Sequence, residues 1–232
     1  CNTPEVLTKT TADFAFALML TAERRIVEGE RVVRAGRWKT WGPMILLGQD
    51  VHDATLGIVG LGRIGVEVAK RAKGFDMRVI YNDRIRRPNL ERELGLIFAD
   101  LQTLLAESDF VTIHTPLTSE THHLIGEAQF KTMKKTAILV NTARGPIVDP
   151  RALYQALRDK QIAYAALDVT EPEPIPPHDP LLTLDNIVIA PHIASASVAT
   201  RTRMAMMAVD NLLAAVKGYR PAHIVNPEVL QK

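Results

Sequence analysis

Three glycines in the spacing Gly60-x-Gly62-x-x-Gly65 constrain this chain more than any other feature. Ahead of them runs Thr55-Leu56-Gly57-Ile58-Val59, a short run of the kind a buried strand needs; residues 66–72 behind them read as a helix. In a strand, tight turn and helix N-terminus of this sort, the first glycine allows the reversal and the second lets backbone approach a pyrophosphate. The third lets helix and strand pack closely, while the helix dipole and free N–H groups face the anion. The pattern alone also fits an ordinary strand-turn-helix. Its context adds a second strand, Arg78 to Asn82, that ends in Asp83, about twenty residues past the glycines, where a carboxylate would hold the adenosine ribose hydroxyls.

The rest of the chain repeats the alternation. Residues 8–35 read as one long helix, or two broken near Gly29, with Phe14, Leu18, Ile26, Val27, Val32 and Val33 as the apolar side and Gly36 as the stop. Uninterrupted, it would span about 40 Å. It is read as an arm packing on a second subunit, the alternative being a surface helix over the sheet. Residues 37–53 read as an irregular connection containing Trp38, Trp41 and Pro43. Further strands are expected at 96–98, 109–116, 137–141, 164–169 and 186–190, with helices at 100–107 and 126–133. Another helix has Asp149 as its N-cap and Pro150 at its first position. A last helix runs from about Ser197 to Lys217, with Ser195 as candidate cap and Gly218 as stop. About seven strands, mostly continuous apolar runs separated by helices, predict an α/β fold: a doubly wound, Rossmann-type parallel sheet with long N- and C-terminal helices.

Composition narrows the class. At 232 residues and 47% hydrophobic the chain can bury one large core or two modest ones, and its net charge of +2 has no long basic run to suggest nucleic acid or a membrane surface. Cys1 is the only cysteine, so no disulfide forms within the chain, and no apolar run reaches membrane-spanning length; the expected location is the cytoplasm. The Pro-rich stretch 171–177 reads as a stiff loop rather than a polyproline ligand. The remaining histidines, the His122–His123 pair included, have no acid or cysteine at metal-ligand spacing, and no metal is expected.

In an open parallel sheet the ligand lies beyond the carboxyl ends of the strands. Those positions are held by Gly60 and Gly62, Asp83, Thr115 and Pro116, Thr142 to Arg144, Asp168 with Glu173, and His192. A nicotinamide carries the hydride, so the protein must add a proton donor or acceptor and a cation for the substrate. His192 suits the first task, with Glu173 to orient its ring; Arg144 suits the second, since a guanidinium grips a carboxylate with two prongs. Each also has a plainer reading: a histidine capping backbone, an acid in a loop, a solvated surface arginine. NAD is expected over NADP because Asp83 would repel a 2′-phosphate, although Arg84, Arg86 and Arg87 pull the other way.

The segments Leu139 to Asp149, Ala166 to Val169 with Glu173-Pro174, and Ala190 to Ala196 resemble the signature segments of the D-isomer-specific 2-hydroxyacid dehydrogenases. The spacing from Trp41-Gly42-Pro43 to Asp50 is similar to the glyoxylate and hydroxypyruvate reductase branch. The resemblance implies NAD-linked hydride exchange with a small 2-oxo or 2-hydroxy acid. Arg144 would bind substrate, and His192 would be the acid/base with Glu173 as partner. Leu61 to Ile64, Gly65 and Asp83 would hold the pyrophosphate and ribose; Ala143, Asp168 and Ala194 would lie near the nicotinamide. A dinucleotide-binding domain is expected over 1–195, including the N-terminal helical arm, whose length predicts a homodimer. Residues 196–232 would form a helix and tail returning to a substrate domain mostly absent from this chain, which opens at the Asn2-Thr3-Pro4 that follows that domain in the family. On that expectation the chain binds nucleotide with little turnover. A non-catalytic dinucleotide-sensing module of the same fold stays open. A methyltransferase is disfavoured, because it leaves Arg144, Glu173 and His192 without a shared task.

Overall fold

A computed structural model describes residues 1–230 of the chain. Its elements run α1 (Thr8–Glu23), α2 (Ile26–Arg34), β1 (Thr55–Val59), α3 (Arg63–Ala72), β2 (Arg78–Asn82), α4 (Pro88–Leu94), β3 (Ile97–Phe98), α5 (Leu101–Glu107) and β4 (Phe110–Ile113). There follow α6 (Glu127–Thr132), β5 (Ile138–Asn141), α7 (Pro150–Arg158), β6 (Tyr164–Leu167), β7 (Ile187–Ile189) and α8 (Val198–Val216). The strands form one parallel sheet in the order β3-β2-β1-β4-β5-β6-β7. The order reverses between β1 and β4. Two crossovers therefore diverge there and leave a crevice past the strands' carboxyl ends.

Both faces are covered, which is why the strands read as near-continuous apolar runs. On one face Ala12, Ala15, Phe16, Leu18, Met19 and Ala22 of α1 are buried with Val68 and Ala69 of α3, and Phe16 stacks on Phe75 with ring centroids 5.4 Å apart. On the other, Leu104, Leu105, Phe130, Leu153 and Leu157 cover the sheet. Gly57 in β1 lets α5 lie close, since a Cβ there would stand 2.6 Å from Leu104.

The N-terminal helix departs from expectation. It breaks at Arg24–Arg25, with Arg25 in the left-handed region (φ 49°), while Gly29 sits inside α2. The break falls where burial ends: α1 is core and lies over the sheet, whereas no residue of α2 is buried. The alternative reading of a helix over the sheet therefore holds for α1, and an arm can begin only at α2. Gly36 stops α2 at φ 63° as expected. The cap of α8 is Ser197, whose Oγ accepts from the Thr200 amide at 3.1 Å; Ser195 lies one loop earlier. Helix α4 has no counterpart among the expected helices, although Pro88 at its start and left-handed Gly95 at its end are ordinary boundary signals. The last two residues of the C-terminal segment 196–232 lie outside the described residues.

Candidate active site

The nucleotide turn is built as the glycine spacing demands. Gly60 follows β1 at φ 96°, where a Cβ would stand 2.6 Å from the Thr115 amide nitrogen behind β4. A Cβ on Gly65 would run into the Gly60 carbonyl oxygen, so α3 could not start this close to the strand. Gly62 differs: nothing lies within 4 Å of the place its Cβ would take. The fold itself does not need that glycine, and the open space above the first amides of α3, which have no acceptor within the helix, fits a pyrophosphate. Asp83, just past β2, accepts from the Leu61 amide at 2.8 Å through Oδ2 and from Ile85 at 3.2 Å through Oδ1. Its carboxylate thus reaches the turn from the neighbouring strand. A cleft of about 1030 Å³ adjoins it, lined by Leu61, Gly62, Arg63, Arg87 and Arg203 among others.

Beside this cleft lies a cavity of about 520 Å³ into which the other strand ends open. Of the residues expected at the site, Ile64, Thr115, Pro116, Thr142, Ala143, Arg144, His192 and Ala194 line it. His192 follows β7 in the left-handed region at φ 55°, its amide donating to the Asp168 carbonyl at 2.9 Å. Its Nδ1 lies 2.5 Å from Glu173 Oε1. An ionised carboxylate only accepts, so Nδ1 carries the proton and Nε2 is left for chemistry.

Asp168 stands underneath. It is 1% exposed, and its two oxygens accept from the Ile193 amide at 2.7 Å and the Ala194 amide at 2.8 Å. Burial pushes its carboxyl above the usual range, while the two amides act the other way. It does not line the cavity; it pins the loop that presents His192.

Arg144 is held by Asn141 at the end of β5. The Asn141 side chain donates to the Arg144 carbonyl at 2.9 Å and accepts from the Ala143 amide at 3.0 Å. The guanidinium is exposed and uses one nitrogen on the Ala143 carbonyl at 2.6 Å. Gly145 then packs so tightly on the Thr170 backbone that no Cβ would fit, which keeps the Arg144 turn against the loop carrying Glu173.

His114, directly after β4, was not singled out in the sequence, yet it lines the cavity. Burial pushes its imidazole down to about 3, so it is neutral across the physiological range. Its Nε2 meets Thr112 Oγ1 at 2.9 Å; its Nδ1 and the Thr142 hydroxyl are buried without a hydrogen-bond partner. Two orphaned polar atoms on residues of one cavity fit a ligand with polar edges. The only sequence signal was position at a strand's carboxyl end.

Along the chain no acid stands at metal-ligand spacing from His122 and His123, but the fold brings one to them. Glu171, from the loop after β6, closes on both, and the three offer ligand atoms within 4.8 Å of one another. No described helix is long and apolar enough to cross a membrane.

Known proteins resemble this chain over nearly its whole length. Residues 16–194 match the "D-isomer specific 2-hydroxyacid dehydrogenase, NAD binding domain". The chain is 60% identical over 231 residues to a protein named glyoxylate reductase from Korarchaeum cryptofilum, covering 99% of this chain and 70% of the relative. It is 54% identical to another of that name from Aeropyrum pernix, with the same coverage. Among solved structures, the TT0316 protein from Thermus thermophilus superposes with a TM-score of 0.91 at 52% identity, over 97% of this chain and 70% of that one. A glyoxylate reductase from Paecilomyes thermophila gives 0.83 at 38% identity, over 94% and 65%.

Proposed function

The chain belongs to the D-isomer-specific 2-hydroxyacid dehydrogenase family, and from that premise we propose which of its residues carry the NAD-linked reduction of a small 2-oxo acid. Glyoxylate, the substrate in the relatives' names, and the similar hydroxypyruvate are the substrates this reading takes. The bound dinucleotide supplies the hydride. Arg144 holds the substrate carboxylate through the guanidinium N–H groups that Ala143 does not use. His192 gives its Nε2 proton to the carbonyl oxygen and recovers it from the alcohol in the reverse direction. Glu173 keeps the ring in one tautomer and steadies the imidazolium.

The observation that carries this reading is the 2.5 Å contact between His192 and Glu173 on a residue that lines the same cavity as Arg144. His114 is a poor rival for the proton, since burial keeps it neutral. For the cofactor, Gly62 and the start of α3 take the pyrophosphate and Asp83 the ribose hydroxyls. The carboxylate of Asp83 beside the turn favours NAD over NADP.

His192→Ala tests the assignment. Turnover of glyoxylate with NADH should fall by on the order of 100- to 10,000-fold, with the NADH dissociation constant within about twofold of the parent. A variant that keeps its rate would remove His192 from the chemistry. Parent turnover of glyoxylate with NADH that is lost in the variant would count against a non-catalytic sensor.

A further inference from the structure

Two histidines and a glutamate that the dehydrogenase chemistry leaves unused meet on the surface beside the site. His122 and His123 close the turn between β4 and α6, and Glu171 lies in the loop after β6. His123 Nε2 is 2.7 Å from Glu171 Oε2, and His122 Nε2 is 3.8 Å from Oε1. The imidazoles stack with centroids 4.0 Å apart, so both Nε2 atoms face one carboxylate. A contact whose task is to join two loops needs only His123. It does not explain why the second ring lies alongside with its nitrogen turned to the same acid, beyond hydrogen-bond length.

We propose that His122, His123 and Glu171 bind a divalent cation of the zinc class, with solvent completing the coordination. Two imidazole nitrogens and one carboxylate suit zinc, nickel or copper; magnesium and calcium prefer oxygen ligands throughout. Ligands about 2.1 Å from a tetrahedral ion stand roughly 3.4 Å apart, and the three atoms here lie within 4.8 Å of one another. Side-chain rotation supplies the difference, since the three side chains are 51%, 36% and 31% exposed.

The position gives such an ion a consequence. The His123 amide donates to the Pro146 carbonyl at 2.8 Å and the Ile125 amide to Ile147 at 3.1 Å, which fastens this turn to the one directly behind Arg144. Glu171 is two residues from Glu173, the partner of His192. A bound cation therefore ties the loop behind the substrate-binding arginine to the loop behind the acid/base.

Calorimetric titration of the whole chain with Zn²⁺, without cofactor or substrate, tests this independently of the dehydrogenase reading. Cys1→Ser serves as background, because Cys1 is an exposed thiol that would compete for the metal. One Zn²⁺ should bind per chain, far more tightly than Mg²⁺. His122→Ala leaves the His123–Glu171 hydrogen bond in place, and with Glu171→Gln it should weaken Zn²⁺ binding by about 10- to 100-fold or more, at least the loss that even an outer-shell partner causes. Circular dichroism of both variants should match the parent. Binding no tighter than that of Mg²⁺, or Zn²⁺ affinity unchanged in folded His122→Ala, would overturn the site.

Discussion

At the scale of single residues, environment sorts groups that the sequence leaves equal. His114 and His192 both follow strands and both line the cavity, but one is a neutral, half-buried imidazole and the other an accessible ring on a carboxylate. Arg144 is set apart in the same way, by the Asn141 bracket that fixes its backbone and by its exposed head. Arg144→Lys keeps the charge but loses the two-pronged grip. A lost charged hydrogen bond of about 1.5–3 kcal/mol predicts a fall of about 10- to 100-fold in kcat/KM for glyoxylate. NADH affinity should stay at the parent value, and steady-state kinetics with NADH titration checks both.

Glu23, at the end of α1, makes the opposite point. It is 3% exposed, its Oε1 has no hydrogen-bond partner, and burial pushes its carboxyl up to about 7. A folded-state value raised above the unfolded one means that folding favours the protonated form, so stability declines as pH rises from about 4.5 to about 7. Glu23→Gln should therefore raise the stability by up to about 3 kcal/mol above pH 7 and change it little at pH 4. Thermal melts at both pH values decide it, and an equal gain at both would show that ionisation is not the cause.

At the scale of elements, the nucleotide turn separates glycines that serve the fold from one that serves a ligand. Gly60 is required twice, by its positive φ and by the Thr115 backbone against it. Gly60→Ala should lower the stability by about 1–3 kcal/mol, the usual cost of a residue forced into such a conformation, measured by denaturant unfolding. Gly62→Ala meets open space, so its stability should stay within about 1 kcal/mol of the parent's, the scale of a changed helix cap, while NADH affinity drops. Equal nucleotide affinity in Gly62→Ala would show that no pyrophosphate lies over the start of α3.

At the scale of the molecule, α2 and the connection after it present an apolar surface that the sheet does not cover. Trp38, Trp41, Met44, Ile45 and Leu47 are all more than half exposed, with Trp41 and Met44 at 77%. Apolar surface of this kind is what a partner covers. We propose a second copy of the chain as the occupant, with α2 and the following residues as the arm. Light scattering should give the mass of a dimer, and Trp41→Asp with Met44→Asp should give a folded monomer. A monomeric parent would remove the proposal.

Local signals determine much of this protein. Strand runs, the Asp149–Pro150 helix start, the Gly36 and Gly218 stops and the glycine turn are all written in neighbouring residues, where backbone sterics and capping act. The strand ends that carry polar residues were legible too, because a parallel sheet delivers every carboxyl end to one edge. What only the tertiary structure decided depends on surroundings. Burial made α1 core and left α2 exposed, so the break fell at Arg25 and not at Gly29. The same packing engaged both oxygens of Asp168 on the His192 loop, silenced His114, and carried Glu171 to His122 and His123 across 48 residues of chain. Proximity between distant residues arises from packing, and no spacing along the chain encodes it.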